Sequence, residues 1–173
     1  VKKKQPRSNP EASKISPETW KAVSSCSELE LKQLARELGR ELKTGDRIFL
    51  EGPLGAGKTT FARYLLEALG VTQPPEGSPT FAIAHEYFSP RGEVVHIDFY
   101  RLKHESEIDD AGIPTYFWER DAIVLCEWAS QFPGFLNSVE RASARIWKIE
   151  LGFADSPDQR AVQITRQARD SER

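Results

Sequence analysis

An α/β fold built on a mixed sheet is predicted for this 173-residue sequence by three observations. The buried-type run Arg47-Ile48-Phe49-Leu50-Glu51 enters a glycine-rich loop that opens directly into a helical pattern, the order of a strand–loop–helix unit. Ala122 to Glu127 is another continuous apolar run of strand length. Two further strand-type segments flank Ser89-Pro90-Arg91-Gly92, a turn that pairs them as an antiparallel hairpin. A wholly parallel sheet has no place for such a hairpin, so the sheet must be mixed.

The elements follow in order. Residues up to Pro17 are polar, basic and proline-punctuated with no periodicity, so a disordered tail is expected over 1–19 and the folded domain over 20–166. Ser27 followed by Glu30 is a capping-box signature, and Leu31, Leu34, Ala35, Leu38 and Leu42 recur at helical spacing as far as the turn Thr44-Gly45-Asp46. After the strand at 47–51 and its loop, residues 60–69 read as a helix that stops at Gly70, a residue suited to the left-handed position that ends helices. Residues 72–79 carry too many prolines and glycines for regular structure and lead to Thr80-Phe81. Strands are expected at 82–88 and 93–99, and short helices at 103–120 broken by Gly112 and Pro114. The strand at 122–127 and two more at 144–151 and 161–165 complete the domain, with a frayed tail at 167–173 and no internal repeat.

The loop Gly52-Pro53-Leu54-Gly55-Ala56-Gly57-Lys58-Thr59 carries the strongest chemical signal. With glycine at about 7% of average usage, a chance match to its four fixed positions has a probability of about one per cent in a chain of this length. Glycines let main-chain N–H groups turn inward around a polyphosphate, and the helix that follows directs its positive end at the anion. Leu54, Ala56 and Thr60 complete the cradle. Lys58 would reach the outer phosphates and Thr59 would ligate Mg²⁺.

Bulk properties narrow the function. The length suits one domain with a core of its own. A net charge of −2 and a pI near 6.0 give no global basic footprint, so any RNA in its biology is expected to be held through a partner. The two cysteines, Cys26 and Cys126, form no Cys-x-x-Cys pair and point to a reducing compartment. No apolar run has the length of a membrane span, and Val1-Lys2-Lys3-Lys4 precedes polar residues instead of an apolar core. A soluble, cytoplasmic protein with no membrane partner is expected.

A nucleotide site of this kind also needs a carboxylate at the end of a buried strand. Asp98 closes Val94-Val95-His96-Ile97 and Glu127 closes Ile123-Val124-Leu125-Cys126, and spacing alone leaves the two in competition. Alternation puts His96 and Asp98 on one strand face, where Asp98 could orient the attacking water with His96 in support. A solvated edge strand gives the same pattern. His85 and His104 have no partners at zinc-ligand spacing.

Taken together, the loop, Ser78-Pro79-Thr80-Phe81, His96-Ile97-Asp98-Phe99-Tyr100-Arg101-Leu102 and Glu127-Trp128 resemble the TsaE family, also called YjeE, over about residues 20–165. A phosphate loop is common; its combination with His-x-Asp-x-Tyr-Arg and Glu-Trp is specific. The resemblance implies a P-loop NTPase fold, a three-layer α/β architecture whose mixed sheet is mostly parallel with an antiparallel hairpin. It implies ATP and Mg²⁺ as cofactors, slow ATP hydrolysis, and a supporting role in tRNA threonylcarbamoyladenosine modification through the partners TsaD and TsaB, with tRNA met only through that assembly. Carried over by residue, it makes Thr59 and Glu127 the metal positions and Asp98 the acid of ATP turnover, with Lys58. It sets Thr80 in a switch-like segment near the γ-phosphate, Trp128 in the same neighbourhood and Glu28 near the adenine. Pro53 stands where relatives often carry Asp, at a variable loop position. Two rivals stay open: a small-molecule kinase, for which residues 103–120 offer little arginine for a lid, and a structural subunit that ATP merely stabilises.

Overall fold

The computed structural model describes residues 17–72 and 83–168. Residues 1–16 of the tail expected over 1–19, residues 169–173 of the tail expected over 167–173, and the segment Ser78-Pro79-Thr80-Phe81 with the candidate Thr80 lie outside the described residues.

Strand β1 (Glu18–Cys26) precedes helix α1 (Glu28–Glu41), β2 (Arg47–Glu51) and helix α2 (Lys58–Ala68). The hairpin β3 (Ala84–Ser89) and β4 (Gly92–Asp98) is followed by two short helices, α3 (Ser106–Asp110) and α4 (Pro114–Trp118). Then come β5 (Ala122–Glu127), a 3-10 turn (Ala129–Gln131), α5 (Pro133–Ala142), β6 (Arg145–Phe153) and β7 (Arg160–Ala168). Among the described residues seven strands join one sheet in the order β1-β7-β6-β2-β5-β4-β3. Its middle is parallel, β2 lying between β5 and β6 and β4 beside β5, while β3 and β7 pair antiparallel with β4 and β6 and β1 closes the far edge against β7. The α/β class, the mixed sheet and the hairpin are as the sequence predicts, and parallel pairing is confined to the middle.

Helix α1 forms where its cap dictates. Ser27 Oγ accepts the Glu30 N–H at 3.4 Å while Glu30 Oε2 accepts the Ser27 N–H at 2.8 Å, so two of the orphan donors at the helix start are satisfied reciprocally. Leu31, Leu34, Ala35 and Leu38 then bury one stripe. That stripe meets Phe61, Ala62, Leu65 and Leu66 of α2 on one face of the sheet, over Ile48, Leu50, Ile123, Leu125 and Trp147. The opposite face carries a separate core in which Phe49, Val95, Ile97, Val124 and Cys126 meet Phe117 of α4 and Phe135 and Val139 of α5. Helices on both faces make three layers.

Two elements were not expected. β1 begins at Glu18 and occupies residues assigned to the tail and to the helix approach; mostly exposed along the sheet edge, it shows no inward–outward alternation. α5 starts with Pro133 at its first turn and buries Phe135 and Val139. β7 also extends to Ala168, beyond the strand expected at 161–165. Cys126 is fully buried and burial pushes its thiol pKa well up, as for a small packing residue. Among the described residues no helix is long and apolar enough to cross a membrane.

Candidate nucleotide-binding site

The parallel strands deliver their carboxyl ends, and the residues that follow them, to one rim of the sheet, where ligands of open α/β folds bind. β2 ends in the glycine loop. Gly52, Gly55 and Gly57 have φ of 137°, 80° and 100°, values that side-chain-bearing residues rarely adopt. At Gly52 the demand is steric as well: a Cβ there would stand 2.0 Å from the carbonyl oxygen of Leu151 on β6. Gly57 is the N-cap of α2, whose first turn carries no acid to neutralise its positive end. Ala56 is buried under the loop and Leu54 points into solvent.

Lys58, the first residue of α2, turns back over the loop. Its Nζ donates to the carbonyls of Gly52 at 2.7 Å and Pro53 at 2.9 Å and lies 3.7 Å from the centre of the Trp128 ring. Burial pushes the Lys58 ammonium below the ordinary lysine range, against the pull of Glu127, Glu51 and Asp98. Trp128 takes its position through a left-handed backbone, φ 64°, with its N–H donating to the Leu50 carbonyl at 3.3 Å. For a bulky residue that conformation costs about 1–2 kcal/mol. The Tyr100 ring lies 5.2 Å from the Trp128 ring, so lysine, tryptophan and tyrosine form one layered group. Beside it, Glu51 accepts the Ser130 N–H at 2.9 Å and the Ser130 hydroxyl at 2.7 Å, tying the end of β2 to the turn after Trp128.

The carboxylates are brought together by sheet register. Asp98 of β4 and Glu127 of β5 are direct neighbours in the parallel ladder, so both leave the sheet on the α2 side. Glu127 is buried. Its Oε2 accepts the Thr59 hydroxyl at 3.0 Å and its Oε1 meets His96 Nε2 at 2.8 Å. Asp98 Oδ1 accepts the Tyr100 N–H at 2.9 Å, a bond that holds the carboxylate at the strand end. His96 therefore supports Glu127, not Asp98 as strand alternation suggested. With Glu127 Oε1 as acceptor, Nε2 carries the imidazole proton, and among the described residues Nδ1 is buried without a partner.

These residues suit a magnesium ion. Adjacent ligands of an octahedral Mg²⁺ with bonds of ~2.1 Å stand roughly 3 Å apart, and Thr59 Oγ1 and Glu127 Oε2 are 3.0 Å apart. No group of three or more His, Cys, Asp or Glu at metal-binding spacing occurs among the described residues. A site with one carboxylate and one hydroxyl is what Mg²⁺ takes when phosphate oxygens and water supply the remaining positions.

A cavity of about 530 Å³ opens on the other side of the loop, lined by Ser27, Glu28, Gly57, Thr60, Asp158 and Arg160 among others. It joins the start of α1, with Glu28, to the glycine loop at Gly57. The Glu28 carboxylate accepts the Tyr64 hydroxyl of α2, fixing this wall. Asp158 and Arg160 escaped the sequence reading. Arg160 Nη1 donates to the carbonyls of Pro157 and Gln159, both at 2.8 Å, and its guanidinium lies 5.4 Å from the Phe153 ring centre. No local motif marks them, because only the pairing of β6 with β7 carries that turn to the loop.

Known proteins resemble the chain along most of its length. Residues 25–162 match the family described as threonylcarbamoyl adenosine biosynthesis protein TsaE. A protein named tRNA threonylcarbamoyladenosine biosynthesis protein TsaE from Bacillus subtilis is 43% identical over 110 residues, 64% of this chain and 65% of its own length. One of the same name from Streptomyces coelicolor is 34% identical over 139 residues, 78% of this chain and 89% of its own. The chain thus spans just under two thirds of the first and most of the second. A crystal structure of Bacillus subtilis YdiB superposes with a TM-score of 0.61 at 29% identity, covering 87% of this chain and 86% of that one.

Proposed function

Because the chain belongs to the TsaE family of threonylcarbamoyl adenosine biosynthesis proteins, we propose that it is a weak Mg²⁺-dependent ATPase supporting tRNA threonylcarbamoyladenosine modification by cycling a TsaD–TsaB assembly. The observation that carries this reading is the joining of Thr59, at the head of α2, to Glu127 at the end of β5 directly beside the glycine loop. In that arrangement loop amides and the α2 N-terminus grip the phosphates, and the cavity between Thr60 and Glu28 receives the nucleoside. Lys58 already spends two protons on loop carbonyls and directs its third at the Trp128 ring, where an outer phosphate oxygen would compete.

Thr59 and Glu127 would hold the Mg²⁺, which when bound neutralises charge on the phosphates. Asp98, anchored by the Tyr100 amide, orients the attacking water and draws on its proton. Water oxygen bonds to the γ-phosphorus as the bond to the bridging oxygen breaks, and ADP and phosphate leave. Such a cycle can drive a partner only if its ATP and ADP forms differ in affinity for it.

Calorimetric titration of the full chain with ATP in magnesium tests the site, and the expected result is a saturable heat whose midpoint Lys58→Ala shifts to about a hundredfold higher ATP. A folded protein giving no heat with magnesium adenine nucleotides overturns the reading. Equal TsaD–TsaB dissociation constants for the two nucleotide forms would leave the ATPase and remove the cycling.

A further inference from the structure

Glu127 is 1% exposed, and the two donors it meets are divided one to each oxygen: the Thr59 hydroxyl on Oε2 and His96 Nε2 on Oε1. His96 is itself 1% exposed and lies in the middle of the parallel ladder, held between Val95 and Ile97, whose side chains lock into the opposite core. The imidazole thus sits on a rigid part of the sheet and Glu127 at its open end. A merely packed histidine needs a partner of any kind; this one takes the carboxylate oxygen that Thr59 leaves open.

We propose that His96 is the positioning residue for Glu127: its Nε2–H pins Oε1 and thereby turns Oε2 toward Thr59 and toward a divalent cation beside it. The inference rests on the Mg²⁺-nucleotide reading and deepens it. Once a cation engages Oε2 and Thr59, the histidine bond alone fixes the rotation of the carboxylate. Groups that orient a ligand in this way change metal affinity by about 10- to 100-fold when removed.

Mn²⁺ serves as the probe, titrated into the full chain saturated with ADP and followed by the loss of the free-ion electron paramagnetic resonance signal. His96→Gln keeps an amide N–H at nearly the reach of Nε2, His96→Asn retains polarity but falls short of Oε1, and His96→Phe fills the volume without a donor. The expected result is Mn²⁺ binding weakened about tenfold or more in the Asn and Phe variants and largely restored in the Gln variant. ADP affinity in excess chelator should stay at the wild-type value in all three, a split that loss of structure would not produce. Asn and Gln variants binding Mn²⁺ equally well, or a parallel loss of metal-free ADP affinity, overturns the role of His96. Wild-type protein that binds ADP but shows no Mn²⁺ site fails the metal reading itself, a different outcome from failure of the histidine alone.

Discussion

Strands β4 and β5 each present two faces. On one side Val95, Ile97, Val124 and Cys126 pack against the helices through Phe117 and Phe135; on the other, displaced by one residue along the same backbones, stand His96, Asp98 and Glu127. The apolar face is held by aromatic contacts, Phe135 meeting Phe117 at 5.1 Å and Phe99 at 5.6 Å edge to face. The second face buries Val94, Ile123 and Leu125 under α1 and α2, and at its rim the polar residues are held by hydrogen bonds of 2.8 and 3.0 Å. One set of strands can therefore carry a purely apolar core on one face and, on the other, a core that gives way to polar residues at the rim. Substitutions on the two sides should fail in different ways.

Phe135→Ala should show the largest effect, lowering the unfolding free energy by about 3–5 kcal/mol in denaturant titration while the folded protein keeps its nucleotide affinity. A matching loss of affinity under folding conditions would mean that the two faces are not separable. Lys58→Ala should do the reverse, weakening ATP binding about a hundredfold with a melting temperature near that of the wild type. Glu127→Gln keeps volume and should raise the Mg²⁺ needed for half-maximal ATP binding by about tenfold, leaving metal-free binding alone. An unchanged magnesium titration would return the ligand role to Asp98.

The smallest effect concerns pH. Burial lowers the Lys58 pKa, so on the alkaline side the native state sheds this proton while the unfolded chain still holds it. The unfolded state then binds more protons, and this group's contribution to stability rises with pH through that window. Phosphate affinity should fall through the same window as the ammonium is lost. Titrations of ATP affinity and melting temperature moving in the same direction there would show that Lys58 does not govern the site.

What the sequence announces is local. The cap of α1 is legible because Ser27 and Glu30 are three residues apart, and the hairpin because Ser89-Pro90-Arg91-Gly92 is its own turn. The loop can be read from spacing alone. By contrast, β1 is stabilised by pairing with β7, 134 positions away between Cys26 and Arg160, and its exposed edge has no pattern to read. Asp98 and Glu127 compete on paper because each ends an apolar run; what separates them is which one meets Thr59, a matter of strand order. His96 meets Glu127 instead of Asp98 for the same reason: alternation tells which residues share a face, and register tells which of them touch. Arg160 and Asp158 reach the cavity only through the β6–β7 pairing.

Gly52 lies so near the Leu151 carbonyl that any side chain there would wedge β6 away from β2. An alanine scan across the phosphate loop would record a defect at this position and credit it to lost grip on the ligand. The damage would instead be architectural, a seam opened between two central strands, and nucleotide supplied in excess should not repair it.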